Sequence, residues 1–328
     1  MMSQPVNVLV AGCGAVGTMC AYALHKSGAA KVTAILRSNF QVVEAQGFDI
    51  QSVDHDEVRG WKPDYLVERT VDDACKHGPF DYVVVAMKNL PDIYSIPDII
   101  RPSITLEHTS IVLVQNGIGI EATFLEAFPE NTLLSGVPMI GCEQDGHKIL
   151  HNDPDLLFLS PFSSPSSNPS RDESSCRRFS ELYELGGAKC PRPENITWSR
   201  WRKLVWNASF NTVCALLNLD SGAVQDAGCT DTLIRPAMDE VVAIAKAAGH
   251  LLPADIQSQM IAFTPKELYL RPSMQVDAMR RRPMEIEVIL GEPLRVAREH
   301  KVHAPTLSTL YNLLKAKQWE FKSQGGSN

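Results

Sequence analysis

The sequence predicts an α/β fold: an N-terminal domain built on a parallel sheet, followed by an all-α C-terminal domain. Three observations carry this. Through about residue 160, short β-branched runs alternate with helix-like segments; a glycine-rich turn follows the first of these runs; and beyond Thr197 the runs give way to long segments of helical period. The 328 residues suffice for two domains, and 44% hydrophobic with 21% charged residues is the balance of a globular protein that buries a core.

In chain order, VNVLVAG reads as the first strand, and GCGAVG follows it directly. Gly12, Cys13, Gly14, Ala15, Val16 and Gly17 spell G-x-G-x-x-G, and MCAYALHKSG then reads as a helix ending in Gly28. In such a turn the first glycine permits the tight bend, the second lets backbone approach a pyrophosphate, and the third lets helix pack on strand. The phosphates rest on the helix N-terminus, where unpaired N–H groups and the dipole favour negative charge. This makes the N-terminal domain Rossmann-type. KVTAIL, DYVVVAMK, SIVLVQNG and TLLSGVPMIG continue the strand series, and residues 148–162, ending in LLFLSPF, add a strand at the sheet edge. SSPSSNPS is a serine/proline loop, after which Ser170 and Glu173 stand at capping-box spacing before a helix. The boundary falls in PRPEN, giving a dinucleotide-binding domain over 1–195 and a helical substrate domain over 196–328. Four segments, WSRWRKLVWNASFNTVCALL, DTLIRPAMDEVVAIAKAAG, MEIEVILGEPLRVAREH and TLSTLYNLLKAKQWEFK, form the helical domain, and the tail SQGGSN frays.

The formal net charge of −7, without any basic run, excludes a nucleic-acid footprint and a membrane surface, and a small molecule fits better as partner. MMSQPVN has no secretory or transit pattern, and no apolar run reaches spanning length. Eight cysteines at 13, 20, 75, 142, 176, 190, 214 and 229 include no CxxC pair, and the nine histidines show no metal spacing. Reduced thiols, a cytoplasmic location and no metal site follow as expectations.

After the second strand, Leu36 is followed by Arg37, Ser38 and Asn39, with no acid before Glu44. NAD-binding folds place Asp or Glu there for the ribose 2′-OH, whereas a cation suits a 2′-phosphate, so the reading is NADP(H) with Arg37 on that phosphate. Lys88 and Asn116 fall where two further strands end, on the edge that holds ligands. A solvated lysine and an ordinary Asn-Gly turn remain open alternatives there.

In SRWRKLVWNASFN, Lys203, Asn207 and Asn211 recur every fourth residue, which on an α-helix advances only about 40° per step, placing an ammonium and two carboxamides on one face. A buried asparagine that only ties helices together is the plainer alternative. Facing a carbonyl beside a nicotinamide in an interdomain cleft, the lysine would polarise the oxygen and protonate it, and the amides would orient substrate. A nearby acid should matter, and PSMQVDAMRRRPMEIEVILG offers Ser273, Asp277, Glu285 and Glu287.

GCGAVG, VVVAMK, VQNGIG, RWRKLVWNASFN and PSMQVDAMRRRPMEIE, in this order, resemble the 2-dehydropantoate 2-reductase (ketopantoate reductase) family over nearly the whole chain. The resemblance implies an NADPH-dependent reduction of 2-dehydropantoate to (R)-pantoate, in pantothenate biosynthesis. It implies Lys203 as general acid, Asn207 and Asn211 facing substrate, Ser273 on the keto acid and Glu285 on the substrate hydroxyl. It further assigns Lys88 and Asn116 to the strand-end positions and Arg37 to the 2′-phosphate. The chain departs from the family where many members read E-I-D followed by N-G: Glu287 and Leu290 stand instead, which bears on the substrate pocket. Reduction of another branched or aromatic 2-oxo acid, or non-catalytic NADP(H) binding, are the rival readings, and a homodimer is compatible with the sequence.

Overall fold

The computed structural model describes residues 4–164 and 166–325, so Pro165 of the serine loop and the last three residues of the SQGGSN tail lie outside the described residues. The chain forms two compact units. One contains the residues up to Lys88, Ser95–Gln115 and Glu121–Ile196; the other contains Asn89–Tyr94, Asn116–Ile120 and the chain from Thr197 on. Two short segments from the N-terminal half therefore cluster with the C-terminal helices, which no single boundary in the sequence expresses.

The first unit is a nine-stranded sheet: β1 (Val6–Ala11), β2 (Ala30–Leu36), β3 (Phe48–Ser52), β4 (Asp56–Trp61), β5 (Tyr65–Glu68), β6 (Tyr82–Val85), β7 (Ser110–Val114), β8 (Leu133–Asp145) and β9 (Lys148–Pro161). Their order is β4-β3-β9-β8-β7-β6-β1-β2-β5. The run from β5 to β8 is parallel throughout, with β1 between β2 and β6. Its strands read as unbroken apolar stretches because helices cover both faces, and Val8–Val10 and Val83–Val85 have no exposed surface. The strand over 148–161 does not lie at the edge as the sequence suggested. β9 pairs antiparallel with β8 on one side and parallel with β3 on the other. The edge belongs to β4, half of a β3–β4 hairpin whose charged, mostly exposed DEVRGW pattern gave no strand signal.

The capping box at Ser170 also gives way to a different start. The helix Pro169–Leu185 begins one residue earlier, capped by Asn168, whose side chain accepts from the Arg171 amide at 3.2 Å. Pro169 then occupies the first helical position, where its missing N–H costs nothing.

The second unit is helical, and three of its long segments contain π turns, at Asn207–Asn211, Thr230–Ile234 and Glu287–Gly291. Among the described residues no helix is long and apolar enough to cross a membrane, and no cluster of three or more His, Cys, Asp or Glu side chains suits a metal ion. All eight cysteines are free thiols. Burial pushes Cys13, Cys176, Cys190 and Cys214 up to about 12, which leaves them protonated and inert.

One polar network lies at the β3–β4 hairpin, with Asp155 and His151 buried at its inner end. Tyr183 Oη donates to Asp155 Oδ2 at 2.8 Å, the Asp155 amide donates to Asp54, and Ser52 Oγ meets His151 Nδ1 at 2.7 Å. Burial raises Asp155 to about 6 and lowers His55 to about 4. A carboxyl raised above its unfolded value of about 3.9 favours folding below that pH, and the advantage is lost as pH rises through about 6. Asp155→Asn keeps an oxygen for Tyr183. Its stability gain over the parent should be about 2 to 3 kcal/mol larger at pH 8 than at pH 4 in urea denaturation. A gain that does not change with pH would remove ionisation as its cause.

Candidate active site

The glycine turn leaves β1 at the C-terminal edge of the parallel strands. Gly12 has φ +101°, and a Cβ there would meet the Met87 backbone nitrogen at 2.5 Å. At Gly17 a Cβ would fall 2.0 Å from the Gly12 carbonyl oxygen, so helix and turn touch directly. Gly14 is different: a Cβ there has nothing within 4 Å. Its absence serves no protein neighbour and instead leaves room above the turn. Gly14 is the N-cap of the helix Ala15–Lys26 and offers no side-chain cap, so the first-turn N–H groups have no acceptor from that side chain. Open backbone at a helix N-terminus suits a phosphate group, and the residues present fit a dinucleotide. Cys13, Ala15 and Val16 contribute backbone here, and the Cys13 thiol is buried.

Arg37 follows β2 as an exposed side chain with no hydrogen-bond or ion-pair partner among the described residues. Lys88 lies three residues past β6 and is half-buried. Gln115, just past β7, donates from Nε2 to the Met87 carbonyl at 2.6 Å and ties the two strand ends together.

The helical unit holds the remaining candidates. Lys203 Nζ donates to Asn116 Oδ1 at 2.8 Å, and Asn116 Nδ2 donates to Glu285 Oε2 at 3.4 Å. The other carboxylate oxygen, Oε1, accepts from the Asn89 amide at 2.9 Å. An ammonium, a carboxamide and a carboxylate therefore form one chain, and only one orientation of the amide satisfies both charges. Asn116 is held for this. Arg200, one turn before Lys203, donates to the Gly117 carbonyl at 3.1 Å, and the Ile118 amide donates to Val288 at 3.2 Å. Gly117, at φ +93°, sits so close that a Cβ would meet Val288 Cβ at 2.6 Å.

The α-helical stripe proposed for Lys203, Asn207 and Asn211 does not persist as such, because Asn207–Asn211 is a π turn. The extra residue shifts the phase and loosens the backbone ladder, and hydroxyls take up the slack. Ser209 Oγ donates to the Val205 carbonyl at 2.6 Å, and Thr212 Oγ1 donates to Ala208 at 2.8 Å. Asn211 is turned to a different neighbour from Lys203. Its Oδ1 accepts from the Met274 amide at 2.8 Å and its Nδ2 reaches Ser273 Oγ at 3.4 Å. Pro272, the N-cap of the helix Ser273–Met279, provides no side-chain cap, and Asn211 does so from outside. Ser273 itself is exposed. Asn207 is 4% exposed, and its carboxamide makes no hydrogen bond among the described residues.

Of the other two acids, Asp277 is buried in the helix Ser273–Met279. Glu287 is engaged elsewhere: Lys315 Nζ reaches its Oε1 at 2.7 Å and Tyr311 Oη lies 3.1 Å from both oxygens. Sequence reasoning missed Asn89 and Arg200. Arg200 carried a usable signal, three residues before Lys203 on the same helix face; the Asn89 contribution is a backbone amide and carried none.

A sheet unit with a phosphate-binding turn and a helical unit carrying an ammonium–carboxamide–carboxylate chain define a nicotinamide dinucleotide-dependent oxidoreductase. Residues 8–164 match the model of the family described as Ketopantoate reductase PanE/ApbA, and residues 195–318 match that of its C-terminal part. An uncharacterised protein of Saccharomyces cerevisiae, YDL144C, is 32% identical over 98% of this chain and 96% of its own length. A 2-dehydropantoate 2-reductase of Nostoc sp. is 30% identical over 93% of each chain. The crystal structure of 2-dehydropantoate 2-reductase from Methylococcus capsulatus superposes with a TM-score of 0.79 at 31% identity, covering 96% of this chain and 98% of that one. The chain belongs to the ketopantoate reductase family, whose members are oxidoreductases acting on 2-oxo acids.

The glycines separate by role, and two substitutions check this. Gly17→Ala should cost about 1 to 3 kcal/mol of stability through the clash with Gly12, read as a lowered urea midpoint. Gly14→Ala, at φ −73°, should fold as well as the parent while binding the dinucleotide more weakly in a titration.

Proposed function

We propose that the protein is an NADPH-dependent reductase, acting in the cytoplasm, that converts 2-dehydropantoate to (R)-pantoate in pantothenate biosynthesis. The observation that carries this reading is the chain from Lys203 through Asn116 to Glu285, a positioned proton donor with an acidic partner. Family membership supports the 2-oxo acid as substrate class. NADPH, bound on the glycine turn with its 2′-phosphate at Arg37, supplies the hydride.

Reduction of a ketone leaves negative charge on its oxygen. Lys203 stabilises that charge and delivers the proton, for which its ammonium is held in place by Asn116. Glu285 anchors the other end of Asn116 and accepts from the hydroxyl that the substrate carries. Ser273, on a helix start pinned by Asn211, receives the substrate carboxylate, and Asn207 offers its unused carboxamide to the substrate. Lys88 and Asn116 complete the contacts to the cofactor side of the reaction.

The test follows NADPH consumption with a panel of 2-oxo acids. 2-Dehydropantoate should head the panel, and Lys203→Ala should lower kcat by about 100-fold or more while NADPH binding persists. Turnover by the variant comparable to the parent would remove Lys203 from its role, and another acid at the head of the panel would replace the substrate.

A further inference from the structure

The sheet edge that carries Arg37 holds a second cation. β5 runs parallel to β2, and their last paired residues are Leu36 and Glu68. Each is followed by an arginine, Arg37 and Arg69, so the two residues leave adjacent strands at the same level. Neighbouring strands lie about 5 Å apart, well within the reach of two arginine side chains converging on one group. The Arg69 amide extends the ladder by donating to the Leu36 carbonyl at 2.7 Å.

Arg69 pays a conformational penalty to stand there. Its φ is +70°, a left-handed backbone that Gly or Asn adopts far more easily. The chain then turns into Thr70, whose Oγ1 accepts from the Asp73 amide and caps the helix Val71–Ala74. The backbone of Arg69 is therefore fixed at both ends. The side chain is 75% exposed, and its ion pair with Glu68 is a loose 3.5 Å contact without a hydrogen bond, worth little to the fold. Ligand clamps are one place where backbone strain of this kind is kept.

Charge gives the reason for two arginines. A 2′-phosphate carries close to two negative charges, which Arg37 alone leaves half-compensated, and the Glu68 carboxylate beside the site would repel it. Resting on the NADPH reading above, we propose that Arg69 is the second arm of the 2′-phosphate site, acting alongside Arg37 and screening Glu68. It sets the preference for the phosphorylated nucleotide over NADH and takes no part in the chemistry.

The experiment is a fluorescence titration of the full chain with NADPH and with NADH. The variants are Arg69→Gly, which suits the left-handed backbone and should fold at least as well as the parent, Arg69→Lys and Arg37→Ala. Arg69→Gly should weaken NADPH by about tenfold and leave NADH within about twofold, with Arg69→Lys recovering part of the loss. Equal losses for both nucleotides, or no loss for NADPH, would overturn the role of Arg69. A parent that binds NADH as tightly as NADPH, unaffected by Arg37→Ala, would instead overturn the NADPH reading itself. A preference for NADPH that depends on Arg37 and not on Arg69 overturns the present proposal alone.

Discussion

Everything around the helical unit's polar centre is arranged to hold one carboxamide. Asn116 is the neutral group between an ammonium and a carboxylate, and its carboxamide accepts from the first through its oxygen and donates to the second through its nitrogen. Through these two bonds one amide orients both charged groups. The surrounding contacts are explained by this constraint: Arg200 on the Gly117 carbonyl, the Ile118 amide on Val288, and the Asn89 amide on the far carboxylate oxygen all fix backbone, leaving side chains for ligand chemistry.

The π turns are a second expression of the same demand. In a uniform α-helix, Lys203, Asn207 and Asn211 would lie in a single row and compete for a single neighbour. With the extra residue at Asn207–Asn211, Lys203 reaches Asn116, Asn211 secures the start of the helix carrying Ser273, and Asn207 is left with its amide unspent. Another π turn, at Glu287–Gly291, begins two residues after Glu285 and presents Val288 to Gly117. Glu287 within it is bound by Tyr311 and Lys315 of the helix Pro305–Gly325, so the departure at this position serves the attachment of that helix rather than the Lys203–Glu285 chain.

Much of this was legible in the residues. β-Branched runs marked β1, β2, β6, β7 and β8 because strands buried on both faces must be apolar along their length, and the glycine spacing marked the turn because backbone contact there excludes a Cβ. β3, β4 and β5 were illegible because they are short and half-exposed: β4 is a charged edge strand held only by its hairpin partner, while β3 and β5 join the sheet through β9 and β2, distant in the sequence. Asn168 was overlooked as a cap because the Ser170–Glu173 pair offered a stronger local pattern, but the preference of Pro169 for the first helical position outweighed it.

The sequence by itself determined the class of fold and the glycine turn, and it picked out Lys203, Asn116 and Glu285 as candidates, because each depends on local periodicity or on a residue type at a strand end or helix position. Only the tertiary structure decided that these three meet. Asn116 and Lys203 are 87 residues apart in the chain and Asn116 and Glu285 are 169 apart. Their juxtaposition comes from a five-residue segment leaving the sheet unit to pack with helices. Local sequence encodes what a residue can donate or accept; which groups it meets is set by long-range packing, whose energy is spread over many side chains and leaves no local mark.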